Sequence, residues 1–153
     1  PFWLKCTAPG VQAACAERAA QRPRAPGSKA LMAFQQIGEQ FCQHYYQTFD
    51  TNRAGLHPLY SQQSMLTFEG EQFQGADAIC QKIVSLPFQK VQHQIVKCDC
   101  QPSANDGVVI FITGNLLVDD NANPLKFAQV FQLMKGPTGN YYCHNDMFRL
   151  NIG

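Results

Sequence analysis

The sequence has 153 residues, of which 45% are apolar, 11% aromatic and only 15% charged, against about 25% charged in an ordinary globular chain. That length fits one domain with a real core, and the composition excludes a disordered chain, a coiled coil and a highly charged nucleic-acid binder. The net charge of +1 averages two unlike parts: residues 1–31 hold five bases (Lys5, Arg18, Arg22, Arg24, Lys29) and one acid (Glu17), whereas the rest holds seven bases and ten acids. An acidic body suits a basic partner and disfavours phosphate backbones.

Residues 1–31 are rich in Ala, Arg, Pro and Gly, and Arg22-Pro23-Arg24-Ala25-Pro26-Gly27-Ser28 cannot hold a helix. The segment reads as an unfolded or non-native extension ahead of a natural start at Met32, with a transit peptide as the alternative, since it is Arg-rich and acid-poor. The folded domain is then 32–153. Ile37, Phe41, Tyr45 and Phe49 recur every four residues, which predicts a helix over 33–49. Asp50-Thr51-Asn52 ends it and caps a short second helix through Leu56, Leu59 and Tyr60. Ser64–Phe68 reads as a strand, and Glu71–Gln74, bracketed by Gly70 and Gly75, as a short extended piece. Ile79, Ile83 and Leu86 mark another amphipathic helix, stopped by Pro87.

Strands follow. Val91–Asp99 is the first, and Asn105-Asp106-Gly107 is a strong hairpin turn. Val108–Val118 is so continuously apolar that burial on both faces is expected. Lys126–Met134 alternates, and Tyr141–Leu150 is the last strand. Helices first and a strand meander after give an α+β domain, with helices packed on one face of a curved, mainly antiparallel sheet.

No run approaches the roughly 20 apolar residues that span a bilayer, so membrane insertion is not expected. Seven cysteines, odd in number and irregular in spacing, read as reduced thiols of a cytosolic or nuclear protein. Cys98-Asp99-Cys100 lacks the second pair a zinc site needs, so no metal or cofactor is expected. No nucleophile elbow, P-loop, dinucleotide fingerprint or zinc-protease motif is present. His44, His57, His93 and His144 are scattered and read as satisfied or solvated side chains. The acids that stand beside apolar residues are more informative: Glu69 after Phe68, Asp119 and Asp120 after the apolar strand, and Asp146 before Met147-Phe148. Turn chemistry explains such acids. The functional alternative is an acidic rim around an apolar pocket, which accepts a lysine beside an aromatic.

Ile37-Gly38 to Phe41, His44-Tyr45-Tyr46-Gln47, Phe49-Asp50, Leu66-Thr67-Phe68-Glu69-Gly70, Gln72-Phe73-Gln74-Gly75, Ser85 to His93 and Asn145-Asp146-Met147-Phe148-Arg149-Leu150 together resemble the nuclear transport factor 2 family, in order, from Met32 to Gly153. The resemblance implies a cone-shaped (cystatin-like) domain that forms a homodimer. It implies a carrier of the GDP-bound small GTPase Ran that also binds Phe-x-Phe-Gly (FxFG) nucleoporin repeats. Such a carrier is not an enzyme, and it works in cytoplasm and nucleus, enriched at the nuclear pore. A switch II aromatic of Ran would enter the cavity while basic Ran residues meet the rim. Carried over by position, the wall comprises Phe68, Leu86, Phe88, Val91, Leu116, Val118, Met147 and Phe148, and the rim comprises Glu69 and Asp119, with Asp120 or Asn123 third. Phe34 and Asp50 match the nucleoporin site. The competing reading is an isomerase or dehydratase, because the same cone serves such enzymes. A carboxylate of raised pKa deep in the cavity would favour it.

Overall fold

The computed structural model describes residues 28–119 and 123–151, with side chains from Ala33 onward. The chain divides into two units, Pro1–Leu31 and Met32–Gly153. Helix α1 runs Ser28–Thr51, a 3₁₀ helix Arg53–Leu59, strand β1 Tyr60–Phe68, β2 Glu71–Gln74, helix α2 Ala76–Val84, and then strands β3 Val91–Pro102, β4 Val108–Val118, β5 Leu125–Lys135 and β6 Tyr141–Leu150. The sheet order is β2-β1-β6-β5-β4-β3. Every neighbouring pair is antiparallel except β1–β6, which is parallel, so the curved sheet is mixed but mainly antiparallel and remains open.

Several boundaries differ from expectation for physical reasons. Helix α1 starts at Ser28 rather than 33, so the last residues of the presumed extension are helical; the expectation for residues 1–27 lies outside the described residues. The second short helix is 3₁₀, with Pro58 inside it, where the missing N–H breaks an α ladder. Tyr60, expected in that helix, opens β1 instead. Between Tyr60 and Met65 the β1–β6 register shifts, and Ser64 bridges the irregularity: its Oγ accepts from Ser61 N at 2.8 Å and donates to Cys143 O at 2.6 Å. β3 runs on to Pro102, beyond Asp99. Asn105 and Asp106 both have φ of 55°, the left-handed pair that a tight hairpin turn with matching twist requires.

β4 is not buried on both faces. It alternates, and Phe111 is 46% exposed. The helices cover only the face that carries Ile110 and Ile112 of β4 and Phe127, Gln129, Phe131 and Leu133 of β5, all of which are buried. Tyr45 of α1 meets the Phe131 ring edge-on at 4.7 Å, and Phe41 meets it at 5.1 Å. Gly114 matters to this layer: a Cβ there would lie 2.7 Å from the Phe127 ring and 2.6 Å from Gln94 O. The Phe127 ring therefore packs against β4 only because position 114 has no side chain.

Candidate functional site

Where α1, α2 and the sheet's inner face diverge, they leave an apolar cavity of about 100 Å³. Seven of the eight expected wall residues line it: Phe68, Leu86, Phe88, Val91, Leu116, Val118 and Phe148. Met147 does not. It is 48% exposed on the opposite face of β6, because successive strand side chains alternate and Phe148 takes the inward position. The wall also includes Tyr45 and Phe49 from α1, Leu66 from β1 and Ile83 from α2. Phe68 stacks on Phe148 with ring centroids 4.8 Å apart, and Phe148 stacks on Phe127 at 5.6 Å. Arg53 fastens the loop that supplies Leu86 and Phe88: its guanidinium donates to Leu86 O at 3.2 Å and Phe88 O at 2.7 Å, and lies over the Phe49 and Phe88 rings at 5.6 and 5.8 Å.

Two expected rim acids stand at strand ends, next in sequence to the cavity-lining Phe68 and Val118, and both are exposed. Glu69, with φ of 51°, accepts from Leu150 N through Oε1 at 2.6 Å. Asp119, with φ of 50°, accepts from Gln89 N at 3.0 Å and Lys90 N at 2.9 Å through Oδ1. Turn chemistry accounts for both: one carboxylate oxygen clamps the backbone while Glu69 Oε2 and Asp119 Oδ2 make no hydrogen bond to a described residue. Asp120 lies outside the described residues, and Asn123 is exposed in the bend that follows. Asp146, read as a further mouth acid, is instead 1% exposed and belongs to the interior.

Phe34 and Asp50 are not brought together. Both lie on α1, sixteen residues apart, which at 1.5 Å rise is roughly 24 Å along the axis. Phe34 is half-buried against the core. Asp50 accepts from His93 N through Oδ2 at 3.0 Å and meets His93 Nδ1 through Oδ1 at 2.6 Å. The His93 side chain is only 3% exposed, packs edge-on against Phe49 at 4.9 Å, and lines the cavity. Sequence reading found no carboxylate for His93 because the partner is 43 residues away.

The cavity floor is polar and was not foreseen. Asp146 Oδ2 accepts from Tyr60 OH at 2.7 Å and Tyr45 OH at 3.4 Å, and its Oδ1 accepts from Gln129 Nε2 at 2.7 Å. Gln129 Oε1 accepts from Tyr46 OH at 2.8 Å. Burial pushes the Asp146 carboxyl up to about 6, although the three hydrogen bonds oppose the shift. A deep carboxylate of raised pKa is what a proton-transfer enzyme of this fold would show. Asp146 does not line the cavity, however; Tyr45 and Gln129 stand there. Its oxygens are engaged, so the group holds the floor instead of facing a substrate. Among the described residues no group of three or more His, Cys, Asp or Glu is placed to hold a metal ion, and no helix is long and apolar enough to cross a membrane. The raised pKa fixes a sign: the folded state holds the Asp146 proton more tightly than the unfolded state does. Its stability advantage is therefore full below about pH 4 and is lost as pH rises to about 6. Asp146→Asn should flatten that slope, worth about 3 kcal/mol, in urea unfolding measured between pH 4 and 7.

The nuclear transport factor 2 domain model matches residues 37–150. Nuclear transport factor 2 of Emericella nidulans is 54% identical over 118 residues, covering 76% of this chain and 94% of that protein. The solved structure of nuclear transport factor 2 from Cryptosporidium parvum superposes with a TM-score of 0.74 at 56% identity, covering 77% of this chain and 94% of that one. A Novosphingobium aromaticivorans structure with a provisional scytalone dehydratase assignment reaches 0.69 at 11% identity, covering 82% of this chain and 89% of that one, and shares the fold alone. A domain match across most of the folded unit, with half of the residues identical over nearly the whole of a relative, shows that the chain belongs to the nuclear transport factor 2 family.

Proposed function

We propose that this protein, whose family membership gives it a nuclear transport role rather than an enzymatic one, carries the GDP-bound form of Ran into the nucleus, shuttling between cytoplasm and nuclear pore. The observation that carries the reading is the ring-sized apolar cavity with acids at its mouth. At about 100 Å³ it is on the scale of apolar protein cavities of about 150 Å³ that stay dry and accept a benzene ring. A switch aromatic of Ran would fill it, and basic Ran residues would meet the unengaged oxygens of Glu69 and Asp119. Phe34, half-exposed on α1, would receive an aromatic of an FxFG repeat. Asp50 would act on that binding only indirectly, since it holds His93 and stands far along the helix from Phe34.

A homodimer through the outer sheet face belongs to the same proposal. Register places Phe111, Val130 and Met147 abreast on β4, β5 and β6; Phe111 is 46% and Met147 48% exposed. Phe127, Phe131 and Phe148 on β5 and β6 face inward and are buried, so the exposed patch is centred on this row. A two-fold axis buries such a patch on both copies, and paired nucleoporin sites then gain avidity on repeat-bearing chains.

Glu69→Lys should abolish Ran binding in calorimetry, a loss of about 2–5 kcal/mol for a desolvated charge pair. Glu69→Gln, which keeps an acceptor for Leu150 N, should fold normally and lose only part. Normal binding by Glu69→Lys would remove Glu69 from the site. Light scattering should give twice the monomer mass at micromolar concentration, and Met147→Glu should halve it; a wild-type monomer would end the dimer proposal.

A further inference from the structure

Between α1 and the edge strand β3, three thiols meet. Cys42 of α1 lies with its Sγ 3.8 Å from Cys98 Sγ of β3, and Cys98 Sγ lies 3.9 Å from Cys100 Sγ. Gly38 lets Cys100 approach α1: a Cβ there would overlap Cys100 Sγ. Cys42 and Cys100 are buried, while Cys98 is half-buried and opens into a surface groove lined by Glu39, Cys42, Gln43, Tyr46 and Ile95. We infer that Cys98 and Cys42 form a redox-active dithiol that reacts with low-molecular-weight disulfides, with Cys98 as the attacking sulfur and Cys42 as the sulfur that closes an intramolecular bridge.

The geometry selects this pair. Cys98 and Cys100 are two residues apart on one strand, so their Cβ atoms are separated by about 6.6 Å of rise, beyond the roughly 3.5–4.5 Å that a disulfide spans. Cys42 approaches from a different element and is free of that constraint. The charges facing the cluster are all acidic: Glu39 on α1 and Asp99 on β3 both disfavour a thiolate. The hydrogen bond shared with Cys42 outweighs burial and these charges at Cys98, whose thiol is lowered to about 7, while the Cys42 thiol is pushed up and stays protonated. A thiolate in reach of solvent beside a protonated neighbour is the arrangement of an attacking and a resolving cysteine.

The exchange balances in two steps. The Cys98 thiolate attacks one sulfur of the small disulfide, whose S–S bond breaks; one thiolate leaves and Cys98 carries the other half as a mixed disulfide. Cys42 then gives up its proton and attacks Cys98 Sγ, forming the Cys42–Cys98 bond and expelling the second thiolate. Two protein thiols are oxidised, and one small disulfide is reduced to two thiols. The bridge ties α1 to the edge strand of the sheet.

The test treats the full chain with oxidised glutathione near pH 7.5, traps residual thiols with N-ethylmaleimide and maps the non-reduced digest by mass spectrometry. The expected product is a Cys42–Cys98 cross-link in which Cys100 carries the maleimide. Cys42→Ser should stall with one glutathione on Cys98, and Cys98→Ser should leave Cys42 free. The wild-type map needs no substitution, so a variant that folds poorly does not blunt it. The inference is overturned if Cys98 pairs with any other thiol, Cys6 and Cys15 included, if the wild-type mixed disulfide persists unresolved, or if Cys98 takes the maleimide.

Discussion

One buried carboxylate sets the geometry on which the cavity depends. Asp146 on β6 gathers Tyr60 from β1, Gln129 from β5 and Tyr45 from α1, and Gln129 passes the tie on to Tyr46. Four elements are thereby held at fixed spacing under an apolar chamber. Apolar side chains alone would gain by closing on one another, since packing favours filled space. A directional network resists that collapse, because moving α1 inward would leave the carboxylate or a tyrosine hydroxyl unpaired in a dry interior. The elevated Asp146 pKa is the thermodynamic mark of the same arrangement.

The rim follows a related logic. Glu69 and Asp119 both occupy left-handed backbone at strand ends and each fixes neighbouring N–H groups with one oxygen. Asp119 thereby holds the loop that carries Phe88, and Arg53 holds the same loop from the other side. The charges that would meet a basic partner are therefore placed by groups that also shape the mouth, which limits the entropy lost on binding.

Much of this was legible in sequence. The expected bounds of β4 and β6, Val108–Val118 and Tyr141–Leu150, match the structure, and the four-residue repeat marked α1 but not its start at Ser28. Seven cavity residues followed from family resemblance at matched positions. The error at Met147 was avoidable by strand parity alone, since Phe148 and Met147 cannot face the same way. The floor was not legible: Asp146 and Tyr45 are 101 residues apart and Asp146 and Tyr60 are 86 apart, and no local pattern signals such pairs. Asp146 looked like a mouth acid because a polar residue beside apolar ones reads the same whether it faces water or a buried network. The His93–Asp50 pair escaped for the same reason.

The proposed carrier role requires the cavity and its rim to receive Ran in one nucleotide state. Calorimetry of the full chain against Ran loaded with GDP and, separately, with GTP tests this most directly. Saturable binding of the GDP form, with at least a tenfold weaker response to the GTP form, is the predicted result. Equal affinity for both forms, or no heat from either, would contradict it.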